Sequence, residues 1–250
     1  MAKTITTLTF DLWNTLYSDA SAAGDLVRPH RLELLRGLLE SRSVHPSEEE
    51  LLQAYRAGFD AYMAAWTGGR HFGAREDLAF ILEYLHARDA QTEAEREEFE
   101  RVVTAMEEAL YLAPPNLLPG VRETVPALAA AGYRLGIISD TSLTPGRVLR
   151  DLLKKDGLLD CFSTCTFSDE TGFPKPDPRM FEITLAGLGA RAAEAAHVGD
   201  TPRTDIAGAQ ALGITTIRYT ASADHTDPPE ADFVIRDHRE LQEILERLAG

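Results

Sequence analysis

Acidic residues recur in this chain where apolar, strand-like runs come to an end. Asp11 closes the run Leu8-Thr9-Phe10 and is followed four residues later by Thr15. Ile138-Ser139-Asp140 ends a second such run, Lys175 lies in Lys175-Pro176-Asp177-Pro178, and Gly199-Asp200, with Asp205 five residues on, follows His197-Val198. A carboxylate that attacks phosphorus or carbon divides one hard displacement into two easier ones through a covalent intermediate. Several carboxylates gathered in one crevice repel one another unless a cation joins them. A donor set of oxygens alone suits Mg²⁺, and none of the four motifs contains a histidine or cysteine. An ammonium at Lys175, aimed from a backbone stiffened by two prolines, would keep Asp11 ionised and offset phosphoryl charge. The chain has four lysines against 21 arginines, so a lysine within a motif is less apt to be accidental.

The elements that must carry these groups alternate in type. Strands are expected at Ile5–Phe10, Tyr133–Ser139, Cys161–Phe167, Ala196–Val198, Thr215–Arg218 and Phe233–Ile235, with helices between them, which is the pattern of a parallel α/β sheet. Thr144-Pro145 and Asp177-Pro178 each read as an N-cap followed by a proline in the first helical position, and Gly132 and Gly213 as C-terminal glycines. From about residue 19 to 113 the pattern changes. Leu26–Leu39, Ser47–Ala65, Ala74–Ala87 and Glu93–Leu112 have helical periodicity with no strand between them, and Pro114-Pro115 marks the return to alternation. The expected architecture is therefore an α/β core, residues 1–18 and 114–250, with a Rossmann-like parallel sheet and an all-helical insertion at 19–113. Ligands of open α/β sheets bind at the carboxyl ends of the strands, where Asp11, Ser139 and Asp200 fall.

Together the four motifs and the insertion point resemble the haloacid dehalogenase-like hydrolase superfamily, of the type with a helical cap (C1, subfamily I). The resemblance implies a Mg²⁺-dependent phosphatase acting on a small phosphorylated metabolite. Asp11 would be the nucleophile, with Ser139 and Lys175 as the other catalytic groups. Thr15, Asp140 and the cap residue Arg56 would bind substrate. Asp11, Asp200, Asp205 and the backbone carbonyl of Trp13 would hold the metal, with Asp205 either a ligand through water or an orienting partner for Lys175.

Trp13 departs from the family pattern Asp-x-Asp-x-Thr, standing where the phosphatases keep an acid/base aspartate. Indole keeps the backbone carbonyl but cannot move a proton at this position. The loss of general acid/base help is worth about 10²- to 10⁴-fold in rate. Aryl or acyl phosphates, whose leaving groups need little protonation, would suit such a site. Substitute acids would be His30, His71, His86 or Asp140. Two other readings follow from Trp13: a metal-independent 2-haloacid dehalogenase, because halide departs unprotonated, and a weakly catalytic member that binds a ligand. A phosphonate hydrolase, which needs a cap lysine, is excluded because residues 19–113 contain none.

Composition sets the remaining bounds. The net charge of −15 with no basic run argues against nucleic acid or an anionic membrane as partner. No run approaches the length of a membrane span, and the start, Met1–Thr7, lacks the apolar core of a signal peptide, so cytoplasmic residence is expected. The partner is a small molecule, and a homodimer is left open. Cys161 and Cys165 read as filling around a buried strand.

Overall fold

The computed structural model describes residues 4–18 and 24–249, which form two compact units. One comprises residues 1–19, 116–140 and 150–250, and the other residues 20–115 and 141–149. Residues 1–3 and 19–23 lie outside those described, so the start of the expected insertion falls beyond view.

In the first unit the described strands are β1 (Thr7–Phe10), β2 (Arg134–Ser139), β3 (Thr164–Phe167), β4 (Ala195–Gly199), β5 (Thr215–Tyr219) and β6 (Phe233–Ile235). They form one parallel sheet in the order β3-β2-β1-β4-β5-β6. Every residue of β1 and β4 is buried, as expected for central parallel strands covered on both faces. The chain runs outward from β1 through β2 to β3, then returns to the other side of β1 with β4. That reversal is the switch point of an open α/β sheet, where a crevice opens beyond the strand ends. Asp11 leaves β1 on one side of it and Asp200 leaves β4 on the other.

The helices of this unit are α5 (Val121–Ala130), most of α6 (Gly146–Lys155), α7 (Ser168–Thr171), α8 (Pro178–Gly187), α9 (Ala207–Ala211) and α10 (Leu241–Ala249). Asp177 caps α8, its side chain accepting from the backbone N–H of Arg179, with Pro178 in the first turn. Helix α6 starts one residue later than expected: Pro145 takes the position before the helix and accepts from Val148, so Thr144 is not its cap. Strand β3 is shorter than expected, because Leu159–Cys161 form a 3₁₀ turn; both cysteines are free and half-buried.

The second unit contains α1 (Gly24–Ser41), α2 (Glu48–Thr67), α3 (Ala74–Tyr84) and α4 (Glu93–Glu108), followed by a 3₁₀ turn at Ala109–Leu112. Capping boxes start α2 (Ser47, Glu50) and α4 (Thr92, Glu95), each satisfying otherwise orphaned backbone donors. Leu35, Leu38, Leu39, Leu51, Leu78, Ile81 and Met106 form the apolar centre of this unit. Residues 141–149 belong with it, although the sequence pattern placed them in the core. Leu143 packs against the apolar centre, and Arg147 pairs with Glu107 and Glu108 at 2.8 Å each. No helix of the described residues is long and apolar enough to cross a membrane.

Candidate active site

Strand β1 hands Asp11 to the switch point while its backbone stays in the ladder: Asp11 N–H donates to the carbonyl of Val198 at 2.9 Å. The chain then folds into a tight loop. Leu16 and Tyr17 both donate to the Leu12 carbonyl, and Asn14, at φ 57°, donates to that of Tyr17. Trp13 is half-buried in this loop, bridged to Tyr17. Thr15 is fully buried, and its hydroxyl finds no hydrogen-bond partner among the described residues. A polar atom left so costs stability unless something else meets it.

Lys175 reaches the same place from the loop after α7. Its backbone N–H donates to Asp140 Oδ1 at 2.8 Å, which fixes where the side chain starts. The ammonium, 2% exposed, lies 2.5 Å from Asp11 Oδ1 and 2.6 Å from Asp205 Oδ1. Asp205 also accepts at Oδ2 from the Thr201 N–H, 3.0 Å away, and faces His197 Nε2 at 3.3 Å through Oδ1. Both its oxygens are thus engaged by protein donors. This close seat requires Gly199, because a Cβ there would come 2.4 Å from the Cβ and Cγ of Asp205. Asp200 is buried beside them, accepting from the Thr201 hydroxyl at 3.1 Å. Ser139, at the end of β2, is fully buried and donates to the Asp140 carbonyl at 3.2 Å.

Asp11, Asp200 and Asp205 are all buried, each offering an oxygen, and those oxygens lie within 4.8 Å of one another. Three carboxylates therefore face one ammonium. Burial raises the Asp11 carboxyl well above its ordinary range, with Lys175 opposing and the other two carboxylates adding to the rise. Burial and the neighbouring Asp205 push Asp200 up to about 7. Burial would also raise Asp205, yet the Lys175 ammonium and His197 hold it below the ordinary range, so it stays ionised. Burial would depress Lys175, but Asp11 and Asp205 keep it well above its usual value. Dry carboxylates in excess of their partners call for either protons or a cation. The all-oxygen donor set fits a small divalent ion.

The profile of haloacid dehalogenase-like hydrolases matches residues 5–213. The chain belongs to this family of hydrolases. Glyceraldehyde 3-phosphate phosphatase of Methanopyrus kandleri is 28% identical over 96% of this chain and 97% of its own length. Ribulose-1,5-bisphosphate 5-phosphatase of Halopiger xanaduensis is 35% identical over 49% of this chain, and the match spans 50% of that relative. Among solved structures, 2-haloacid dehalogenase from Pseudomonas syringae superposes with a TM-score of 0.68 at 26% identity, covering 98% of this chain and 100% of its own. A phosphatase from Thermococcus onnurineus gives 0.66 at 22% identity, covering 96% and 98%, which shows the shared fold. The buried acidic cluster thus sits at the switch point of a Rossmann-like sheet.

Arg56 lies exposed on α2, in the other compact unit. His30, His71 and His86, considered as substitute acids, also belong to that unit. Sequence reading missed two histidines near the cluster. His197 is fully buried on β4, and His225 brings Nε2 to 3.9 Å from Asp200 Oδ2. His197 gave a signal only in retrospect, as the residue two before Gly199. His225 gave none, since it depends on the loop after β5, where Arg218 bonds Asp224 and the carbonyl of His225.

Proposed function

We propose that this hydrolase is a divalent-cation-dependent phosphatase for small phosphate esters whose leaving groups depart with little protonation. The observation that carries the reading is the excess of buried carboxylates over ammonium at the switch point. A decayed site would have no reason to keep that costly arrangement. The phosphatase names of the relatives from Methanopyrus and Halopiger support the substrate class.

In this reading an Asp11 oxygen attacks phosphorus, the bond from phosphorus to the leaving oxygen breaks, and the leaving oxygen takes its proton from solvent. Water then attacks the phosphorus, the bond to Asp11 breaks, and inorganic phosphate departs with the carboxylate restored. Lys175 holds its ammonium against Asp11 and offsets phosphoryl charge, and the unpartnered Thr15 hydroxyl, with Ser139 once its hydroxyl turns away from the Asp140 carbonyl, supplies donors for phosphoryl oxygens. Asp140 fixes the Lys175 backbone rather than touching substrate. Asp11, Asp200 and the Trp13 carbonyl would hold Mg²⁺, which when bound supplies positive charge to the transferring group. Asp205 serves as the orienting partner of Lys175, since both its oxygens are already engaged. The helical unit, inserted in sequence directly after the nucleophile's loop, is read as a cap.

Trp13 also favours a second reading, in which Asp11 displaces halide from a 2-haloacid without metal; the Pseudomonas structure supports it. One experiment separates the two: phosphate release from aryl and alkyl phosphates and halide release from 2-haloacids, each with and without Mg²⁺. The proposal expects phosphate release that needs Mg²⁺, together with calorimetric Mg²⁺ binding that Asp200→Ala abolishes. Halide release indifferent to metal, with no Mg²⁺ binding at millimolar concentration, would overturn it.

A further inference from the structure

His197 and Thr9 sit opposite one another on the adjacent parallel strands β4 and β1. Both side chains are fully buried, and His197 Nδ1 lies 2.9 Å from the Thr9 hydroxyl. The other ring nitrogen faces Asp205 Oδ1 at 3.3 Å, on the same oxygen that receives the Lys175 ammonium. Phe181 packs against the ring in a T-shaped arrangement, with a centroid distance of 5.2 Å and an interplanar angle of 77°. A continuous buried chain therefore runs Thr9, His197, Asp205, Lys175, Asp11.

The donors and acceptors in this chain fit together in one way. An ionised carboxylate only accepts, so the nitrogen facing Asp205 must carry a hydrogen. Burial, reinforced by the nearby ammonium, disfavours a second proton on the ring, although Asp205 opposes this. The neutral ring is left with a lone pair on Nδ1, and the Thr9 hydroxyl must donate to it. The opposite tautomer would set a nitrogen lone pair against a carboxylate oxygen. At 3.3 Å the bond to Asp205 is long for N–H···O, so the ring steers the carboxylate while the Thr201 N–H, at 3.0 Å, grips its other oxygen.

We infer that His197 is a positioning residue of the active site: held by Thr9 in the Nε2–H tautomer, it fixes the Asp205 carboxylate in the orientation that aims Lys175 at Asp11. Its catalytic consequence rests on the phosphatase reading above, whereas the tautomer does not. The ring is fully buried and meets the cluster through Asp205, so no acid/base step is assigned to it.

The test pairs kinetics with ring NMR on the full chain. Nitrogen-15 spectra at pH 7.5, with His197 assigned by its loss in His197→Gln, should show the Nε2–H tautomer in wild type. Thr9→Val, close in shape but without the donor, should weaken that tautomer. His197→Met should lower kcat on p-nitrophenyl phosphate by about ten- to a hundredfold, the worth of a hydrogen bond to a charged group, with KM little changed. His197→Gln places an amide donor near the Nε2 position and should restore most of the loss. An Nδ1–H tautomer in wild type, or a folded His197→Met with full kcat, would overturn the inference. Equal impairment in the Met and Gln variants would also overturn it, by reducing His197 to a packing residue. A wild type inactive on every phosphate ester would refute the function instead, and the ring tautomer would then decide this inference alone.

Discussion

Replacing Lys175 by methionine keeps the side chain's length and removes its charge, leaving three buried carboxylates with no ammonium among them. Lys175 is 2% exposed and contacts two carboxylates at 2.5 and 2.6 Å, so solvent does little to screen the loss. Removing one partner of such a buried group costs about 3–5 kcal/mol. For a chain of this size that is a fall of roughly 6–20 °C in Tm. The loss should also depend on pH, with a definite sign. In wild type the depressed Asp205 carboxyl contributes stability that is present above its ordinary value of 3.8 and disappears as pH falls through the depressed value. In the variant the ammonium that opposes the rise of Asp11 and Asp200 is gone, so both carboxyls rise further, and Asp205 keeps only His197 and the Thr201 amide to hold it down. The folded state then keeps a proton that the unfolded chain has released, and stability falls as pH rises above about 4. The gap between variant and wild type should therefore already be open near pH 4.5 and widen toward pH 8. Mg²⁺ should restore more Tm to the variant than it adds to wild type, because the ion enters a more negative site. Thermal melts from pH 4.5 to 8, with and without Mg²⁺, measure all of this. A variant within about 2 °C of wild type throughout that range would refute the argument that this ammonium holds the cluster together.

Two other substitutions test separate links. Trp13→Asp should raise kcat/KM for alkyl phosphates relative to aryl phosphates by up to about 10²-fold, since an alkyl oxygen needs protonation as it leaves. An unchanged ratio in a folded, metal-binding variant would show that position 13 has no access to the leaving group. Asp77→Asn addresses the helical unit, where Asp77 is 3% exposed against Gly58 and burial, partly offset by Arg31, pushes its carboxyl up to about 7. A raised carboxyl makes wild-type stability decline between pH 4 and 7, by as much as about 4 kcal/mol at 1.36 kcal/mol per pKa unit. Urea unfolding of Asp77→Asn should show a shallower decline over that interval, and parallel curves for the two proteins would refute the assignment.

The sequence alone determined the strand-end carboxylates, the lysine between prolines and the helical insertion, because each is written in local terms. An apolar run followed by an acidic turn specifies a parallel strand and its exposed end, and helical periodicity without strands specifies a helical unit. Asp11, Lys175, Asp200 and Asp205 were legible for that reason, and the buried cluster gathers them. Tertiary structure decided what depends on register and on contacts between distant segments. Thr9 meets His197 only because β1 and β4 pair in that register, and no local pattern ties residue 9 to residue 197. His225 approaches Asp200 through a loop held by Arg218, and residues 141–149 join the helical unit through Leu143 and Arg147, contacts that periodicity does not encode. Reading Asp205 as the partner of Lys175 likewise rests on geometry. Only the folded chain shows that both oxygens of that carboxylate are already engaged by Lys175, His197 and the Thr201 amide.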